Sequence, residues 1–236
     1  MSYEYRSNAI SCDLVDSLIQ QYNPADSAYW AFVSEGPHIS FSDSVRTLVR
    51  NLSGTSTNSA QKARSIYNWI SENIKYGVPP RYNVTHDIGN NCLVQGYGDC
   101  AHTALLFISL CRSAGIPARW QSGWSTRPRA TTVHAWAEIL LLPYGWVPVD
   151  PYMGIFAMQY FHGPLDERRE IRDFHFGGLD QYRILLNSDH NRELVPTKRH
   201  PRSDRVGFQY SELETDSANI DWRHTQHKIQ AITLDR

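Results

Sequence analysis

The sequence predicts an α+β fold in which one central, buried helix packs on an antiparallel β-sheet. The segment Cys100–Ala114 is apolar on nearly every side, which is typical of a helix surrounded by other elements. Helical spacing of apolar residues prevails before this segment, and short alternating segments with turn residues follow it. We therefore expect helices in the N-terminal part, the sheet directly after the central helix, and a β-rich C-terminal extension.

Further helices are expected ahead of the central helix. The first is predicted over Asp13–Tyr22, where apolar residues recur at helical spacing. A second is predicted to begin after Ser42 as its N-cap and to end at Gly54, and a third to run from about Ser59 to Lys75. The stretch Val84–Asp99 is rich in Gly and Asn, and we interpret it as a loop that leads into the central helix.

Three strands are predicted after the central helix, over Ile116–Trp124, His134–Leu141 and Trp146–Asp150. If the turn between the last two centres on Leu142, antiparallel pairing sets His134 opposite Asp150. Cross-strand neighbours on one face have Cβ atoms roughly 4.5–5.5 Å apart, close enough for a carboxylate to bond an imidazole. A shift of the register by one residue would move the two side chains to opposite faces. The sequence therefore predicts a definite register.

The length of 236 residues fits a single domain with one hydrophobic core. We expect the core over residues 60–152, a helical N-terminal extension over residues 1–59 and a β-rich embellishment over residues 153–236. Within this last part, weak alternation predicts a strand over Val206–Glu214. Scattered histidines without ligand-like spacing predict solvated surface there: His175, His190, His200, His224 and His227.

The composition excludes several classes of partner. The 23 Lys and Arg residues nearly balance the 24 Asp and Glu residues, so we expect no broad electrostatic binding of nucleic acid or of an anionic membrane. No apolar run approaches the roughly 18 residues that span a bilayer, and Met1–Tyr5 lacks the character of a signal peptide. A secreted or periplasmic chain whose leader had been removed would look the same, so the compartment stays open, as does the oligomeric state.

Cys100, His134 and Asp150 form the candidate catalytic set. Cys100 follows Gly98–Asp99 at the start of the central helix, where the helix dipole favours thiolate over thiol. A histidine within reach supplies a base and later an acid, and a carboxylate fixes the tautomer of that histidine. Each of these residues alone is more often structural. Their joint placement at the ends of regular elements favours catalysis, with the pKa of the thiol lowered below neutral.

Three sequence blocks carry a family resemblance, in the order GDCAHTALLFISLCRSAGIPARW, HAWAEI and GWVPVDP. Over Ala60–Tyr152 they resemble the transglutaminase-like superfamily, here a small microbial-type member. The resemblance implies a papain-like α+β core with Cys100 as nucleophile, His134 as general base and acid, and Asp150 as the residue that orients His134. It also implies acyl transfer on protein or peptide amides by a protease, an amidase or a transglutaminase, with neither a metal nor another cofactor.

A metal site and an oxyanion donor are weaker interpretations of the loop before the central helix. Cys92, Cys100 and His102 fit no standard zinc spacing and lack a fourth ligand. We expect His102 to serve packing or to lie on the helix surface. Gln95, or a group near Tyr97, is a candidate donor to an oxyanion.

An alternative function is a catalytically inactive peptide- or glycan-binding module built on the same fold. Such a module would present an aromatic cleft to its ligand. Trp136 and Trp146 suit either interpretation, because they can pack around the imidazole or line a cleft. Loss of a catalytic residue is the usual sign of an inactive module, and here all three are present. The sequence therefore favours an enzyme.

Overall fold

The computed structural model describes residues 4–23, 26–78, 82–128, 130–203, 206–210, 212–221 and 224–225. The helices are α1 (Trp30–Val33), α2 (Asp43–Ser53), α3 (Ser59–Asn73), α4 (Ile88–Gln95), α5 (Cys100–Ser113), α6 (Pro151–Ile155) and α7 (Leu165–Phe174). The strands are β1 (Ile10–Ser11), β2 (Lys75–Tyr76), β3 (Tyr97–Gly98), β4 (Ala118–Arg127), β5 (Ala130–Leu141), β6 (Gly145–Val149), β7 (Gly178–Leu179), β8 (Arg183–Asn187), β9 (Leu213–Glu214) and β10 (Asn219–Ile220).

The centre of the fold is α5, which packs against β4 and β5 of a four-stranded sheet. Every residue from Ala101 to Cys111 is buried, and α2, α3, α4 and α6 also pack against this helix. A helix that is apolar all round needs such partners on every side. The prediction of an α+β fold with a central buried helix on an antiparallel sheet is confirmed.

The sheet has the strand order β6-β5-β4-β8, and its neighbouring strands are all antiparallel. In the β5–β6 hairpin, Ala137 pairs with Val149. The predicted register is therefore wrong by two residues, because the turn centres one residue later than expected. Continued one step past β6, the observed register sets Asp150 level with Trp136. Since side chains alternate with a period of two, His134 and Asp150 still share a face.

Two of the predicted N-terminal helices are confirmed as α2 and α3. The hydroxyl of Ser42 accepts a hydrogen bond from the backbone N–H of Val45, and Gly54 ends α2 with a φ of 51°. Asn58 caps α3 in the same way, through the N–H groups of Ala60 and Gln61. Both ends follow from short-range capping chemistry, which is why the sequence predicts them well.

Two N-terminal predictions are wrong. Residues 13–22 form no α-helix but a 3-10 turn at Asp16–Leu18, because hydrogen bonds to the β5–β6 turn hold the segment extended: Gln20 N–H donates to the carbonyl of Leu142. The predicted loop before α5 contains α4. Asp87 caps this helix through the N–H of Asn90, and Gly96 ends it in the left-handed region with a φ of 72°.

The C-terminal extension is not β-rich at its start, which corrects the prediction. Asp150 accepts a hydrogen bond from Met153 N–H, and Pro151 occupies the first turn, so a helix begins where the predicted strand was to end. A π-helical stretch, Phe156–Tyr160, and α7 follow. The predicted strand over residues 206–214 is reduced to β9 within the described residues.

Burial also corrects the prediction of a solvated histidine-rich tail. His175 is 4% exposed and His190 is 8% exposed, whereas His224 is exposed as expected and His227 lies outside the described residues. Cys111 is fully buried in the core. No helix in the described part of the chain is long and apolar enough to cross a membrane.

Gly123 is the point where β8 comes closest to β4. A Cβ atom at this position would lie 1.8 Å from the backbone oxygen of Ile184. We expect Gly123→Ala to force β8 away and to lower the free energy of unfolding by about 1–3 kcal/mol, the usual cost of overpacking. Urea denaturation measures this difference. Gly36→Ala is the control, since nothing lies within 4 Å of a Cβ there, and an equal loss in both variants would contradict the prediction.

Candidate active site

Cys100 is the first residue of α5, and its neighbours fix the thiol at the end of the helix. The Asp99 carboxylate caps the helix by accepting hydrogen bonds from the N–H groups of Ala101 and His102, at 3.0 Å each. The thiol sulfur faces the backbone N–H of Ala135, the residue after His134 on β5, and that of Ala101. The packing of α5 on β5 thus brings Cys100 to the strand that carries the histidine.

His134 and Asp150 form a buried hydrogen-bonded pair. Nε2 of His134 lies 2.7 Å from Oδ2 of Asp150, and the two residues are 4% and 0% exposed. Oδ1 of the same carboxylate accepts the N–H of Met153 at 3.1 Å. When Nε2 carries the proton that it shares with Asp150, Nδ1 is the acceptor nitrogen of the neutral ring.

Aromatic rings enclose the imidazole. Trp136 stacks on His134 with ring centroids 6.0 Å apart, and Tyr152 meets it edge-on at 5.4 Å. The Cys100 thiol and the Asp150 carboxylate both raise the pKa of Tyr152, so Tyr152 lies near both groups. Trp146 does not belong to these rings, because its ring packs on Phe32 at 4.9 Å.

Burial sets the protonation of the thiol. It raises the pKa of Cys100 to about 12, and the Asp99 carboxylate acts in the same direction. The N–H groups of Ala135 and Ala101 act in the opposite direction but do not balance burial. The expectation of a thiol pKa below neutral is therefore wrong. Loss of water around the sulfur outweighs the two backbone N–H groups, and the resting group is a neutral thiol.

The pKa values of the imidazole and of the carboxylate are both lowered. Burial lowers the pKa of His134 below its ordinary value of 6.5, with Asp150 opposing and Arg183 reinforcing the change. For Asp150, burial would raise the pKa, but His134 and Arg183 together hold it well below its usual range. At neutral pH the site holds a neutral thiol, a neutral imidazole and an ionised carboxylate.

Arg183, at the start of β8, is a site residue that the sequence did not indicate. Its Nη2 lies 2.9 Å from Oδ2 of Asp150, the oxygen that also bonds His134. The side chain of Arg183 is 5% exposed. No motif surrounds this arginine, and only the pairing of β8 with β4 brings it beneath Asp150.

The weaker candidates of the preceding loop lie elsewhere. His102 is fully buried, with Nδ1 2.9 Å from Asp99 Oδ1 and its ring against Tyr82 at 5.1 Å. Of the two roles expected for His102, packing and a place on the helix surface, the burial of the side chain fits packing. Gln95 is exposed at the end of α4. Among the described residues, no group of three or more His, Cys, Asp or Glu side chains is placed to hold a metal ion.

Comparison with known families finds a match around the candidate site. Residues 46–151 match the family model of the transglutaminase-like superfamily. The match runs from α2 to the first residue of α6 and includes all three predicted site residues. This segment is thus similar to the transglutaminase-like superfamily, whose members are typically cysteine hydrolases or acyltransferases.

Individual relatives are more distant. An uncharacterised protein of Haemophilus influenzae is 23% identical over 247 residues, which cover 87% of this chain and 64% of the relative. This chain thus spans less than two thirds of that protein. A candidate cysteine protease of Cytophaga hutchinsonii is 25% identical, with a TM-score of 0.47 over 55% of this chain and 43% of the other. The periplasmic domain of TgpA from Pseudomonas aeruginosa is 21% identical, with a TM-score of 0.47 over 64% and 53%.

The burial of the Asp150 carboxylate leads to a prediction about stability. We expect Asp150→Asn to lower the free energy of unfolding by about 3–5 kcal/mol, because it leaves the Arg183 guanidinium buried beside a neutral amide. Glu138→Gln is the matched control, since it removes the carboxylate from the Arg119–Glu138 pair, whose side chains are 29% and 18% exposed. Urea denaturation compares the two variants. A smaller loss for Asp150→Asn than for Glu138→Gln would contradict the prediction.

Proposed function

We propose that this protein transfers acyl groups from protein or peptide amides through a Cys100–His134–Asp150 triad, as a protease or amidase or as a transglutaminase. Two contacts support the proposal, because they link Cys100 and Asp150 to strand β5, which carries His134. The thiol at the start of α5 faces the backbone next to His134, and His134 bonds Asp150 at 2.7 Å. This is the nucleophile, base and orienting group that acyl transfer requires.

The first half of the reaction forms a thioester. Because thiol and imidazole are both neutral at rest, Nδ1 of His134 accepts the thiol proton as the sulfur attacks the carbonyl carbon of the amide. Asp150 stabilises the imidazolium through Nε2. The C–N bond then breaks, and His134 gives its proton to the leaving amine. Asp99 occupies the N–H groups of Ala101 and His102, so the N–H of Cys100 itself is the candidate donor to the oxyanion.

The second half releases the acyl group. Water or an amine attacks the thioester carbon, His134 takes up its proton, and the thiolate leaves and regains that proton. Water yields a carboxylic acid, and an amine yields a new amide. The two outcomes share every step up to the thioester, so the same three residues serve a hydrolase and a transferase.

Alkylation by iodoacetamide distinguishes this enzyme from an inactive binding module. Cys12 and Cys100 are partly exposed, whereas Cys92 and Cys111 are buried. We expect Cys100 to react faster than Cys12, because Cys100 faces the backbone next to His134, the proposed base. His134→Gln should slow the alkylation of Cys100 about 100-fold, the lower end of what a positioned base contributes. Peptide mapping by mass spectrometry measures both rates.

The pH dependence of this alkylation follows from His134. A base works only when it is unprotonated, and burial lowers the pKa of His134 below 6.5. The rate at Cys100 should therefore fall on acidification with a midpoint below pH 6.5. Equal rates at Cys100 and Cys12, unaffected by His134→Gln, would instead favour the binding module.

Product analysis tests the acyl transfer itself. A peptide library is incubated with the protein, with and without a small primary amine, and analysed by mass spectrometry. We expect new acids or amine adducts with the parent protein and with Cys12→Ala, and none with Cys100→Ala, because alanine keeps the helix start but removes the nucleophile. Acids indicate hydrolysis, and adducts indicate transfer. Undiminished turnover by Cys100→Ala would contradict the proposal.

A further inference from the structure

Arg183 and His134 share one oxygen of Asp150. Nη2 of Arg183 lies 2.9 Å from Oδ2 of Asp150, and Nε2 of His134 lies 2.7 Å from the same atom. The guanidinium carbon of Arg183 lies 5.6 Å from the centroid of the Trp136 ring, the ring that stacks on His134. Arg183 therefore contacts two of the groups that define the position of the imidazole.

Arg183 is the inner member of a chain of four charges. Its Nη2 also lies 3.3 Å from Oδ2 of Asp180, and that oxygen accepts Nη2 of Arg127 at 2.7 Å. Two carboxylates and two guanidinium groups thus alternate beneath His134, and their charges cancel. Within the described residues, Nε and Nη1 of Arg183 have no hydrogen-bond partner, so Nη2 alone carries its contacts with the carboxylates.

We propose that Arg183 is a positioning residue for the triad. It keeps Asp150 ionised and directed at Nε2 of His134 while His134 is neutral, and it thereby limits how strongly His134 retains a proton. The inference rests on the proposed function of the three residues above. It adds a fourth residue, from outside the matched residues 46–151, and assigns it an electrostatic role.

The need for Arg183 follows from the burial of Asp150. A carboxylate that is 0% exposed is costly unless a cation or several donors compensate it. His134 provides a charge only when it is protonated, and a general base must spend part of each cycle neutral. Arg183 is charged at every step, so it compensates Asp150 throughout. The carboxylate then stays ionised and keeps Nε2 of His134 as the protonated nitrogen.

Arg183 also moderates the pull of Asp150 on the proton of His134. Asp150 alone would stabilise the imidazolium strongly, and a histidine that retains its proton is a poor base. A guanidinium on the same carboxylate oxygen opposes that stabilisation, since Asp150 raises the pKa of His134 and Arg183 lowers it. Arg183 therefore favours the neutral form of the ring, which is the form that accepts a proton.

The flanking regions of the chain hold Arg183 in place. Arg183 pairs with Ser125 in the β4–β8 ladder, and its carbonyl accepts hydrogen bonds from the hydroxyls of Tyr5 at 3.1 Å and Ser7 at 3.4 Å. Both the N-terminal segment and the C-terminal strand β8 thus contribute to the triad, although neither carries one of its three residues.

The titratable and charged groups that interact with Asp150 or with its partner His134 lie on several elements. They are Tyr67 on α3, Cys100 on α5, Arg127 on β4, His134 on β5, Tyr152 on α6, His175 after α7, and Arg183 on β8. Burial raises the pKa values of Tyr67, Cys100 and Tyr152 and lowers that of His175 to about 4. These four groups are therefore neutral near pH 6, and His134 titrates against Asp150 and the arginines.

Titration of His134 by NMR tests the proposal. The parent is the full chain with Cys100→Ala, which removes the thiol, and the pKa and tautomer of His134 are read from its ring resonances. We expect Arg183→Met to raise the pKa of His134 by about one unit, because a cation is lost and Asp150 acts on the ring unopposed. Arg183→Lys should leave the pKa close to that of the parent, since a single charged nitrogen suffices.

Arg119 supplies the matched control. It too lies on the sheet, pairs with a carboxylate (Glu138, at 2.6 Å) and covers a tryptophan ring (Trp146, at 4.1 Å), but it does not contact Asp150. Arg119→Met should leave the titration of His134 unchanged. If Arg183→Met does not fold, Arg183→Gln takes its place, because it keeps a donor for Asp150 without the charge and should give the same rise.

The outcomes separate this proposal from the proposed function. A His134 pKa that stays within the error of the titration in the Arg183→Met and Arg183→Gln variants would overturn the positioning role, as would an equal rise in Arg119→Met. A rise confined to the uncharged Arg183 variants supports it. Failure of Cys100 to react with iodoacetamide would overturn the acyl-transfer function alone, because the titration is measured without the thiol.

Discussion

The buried carboxylate of Asp150 is the constraint on which the rest of the structure depends. It is fully buried, and a buried charge persists only when its surroundings are built for it. Three elements meet that need: β5 supplies His134, β8 supplies Arg183, and α6 supplies the N–H of Met153. The same residue ends β6 and caps α6, so one side chain fixes both the change from sheet to helix and the chemistry of the site.

Burial around Asp150 also determines the form of the proposed chemistry. Two backbone N–H groups favour a thiolate at Cys100, but the loss of water around the sulfur has the larger effect, and the pKa of the thiol rises to about 12. Burial also lowers the pKa of His134. In the resting state the thiol and the imidazole are thus both neutral, and the proton is transferred as the sulfur attacks. The imidazole must therefore be well oriented, and its hydrogen bond to Asp150 provides that orientation.

The regions on either side of the matched segment contribute to the site through the sheet. The N-terminal segment runs extended past the β5–β6 hairpin, where Tyr22 donates a hydrogen bond to the carbonyl of Leu140 and Gln20 to that of Leu142. Further on, β8 covers the free edge of β4 and sets Arg183 beneath Asp150. The matched segment therefore carries the three candidate residues, and the flanking chain adds the cation that the buried Asp150 carboxylate requires.

The sequence by itself determined the central helix, the capped helices α2 and α3, and the identity of the three candidate residues. These depend on local spacing and on caps such as Ser42, which a linear pattern records. Only the tertiary structure decided the two-residue offset of the hairpin, the extended course of residues 13–22, the pKa directions of Cys100 and His134, and the presence of Arg183. Each of those depends on burial and on contacts between distant segments, and no local pattern contains them.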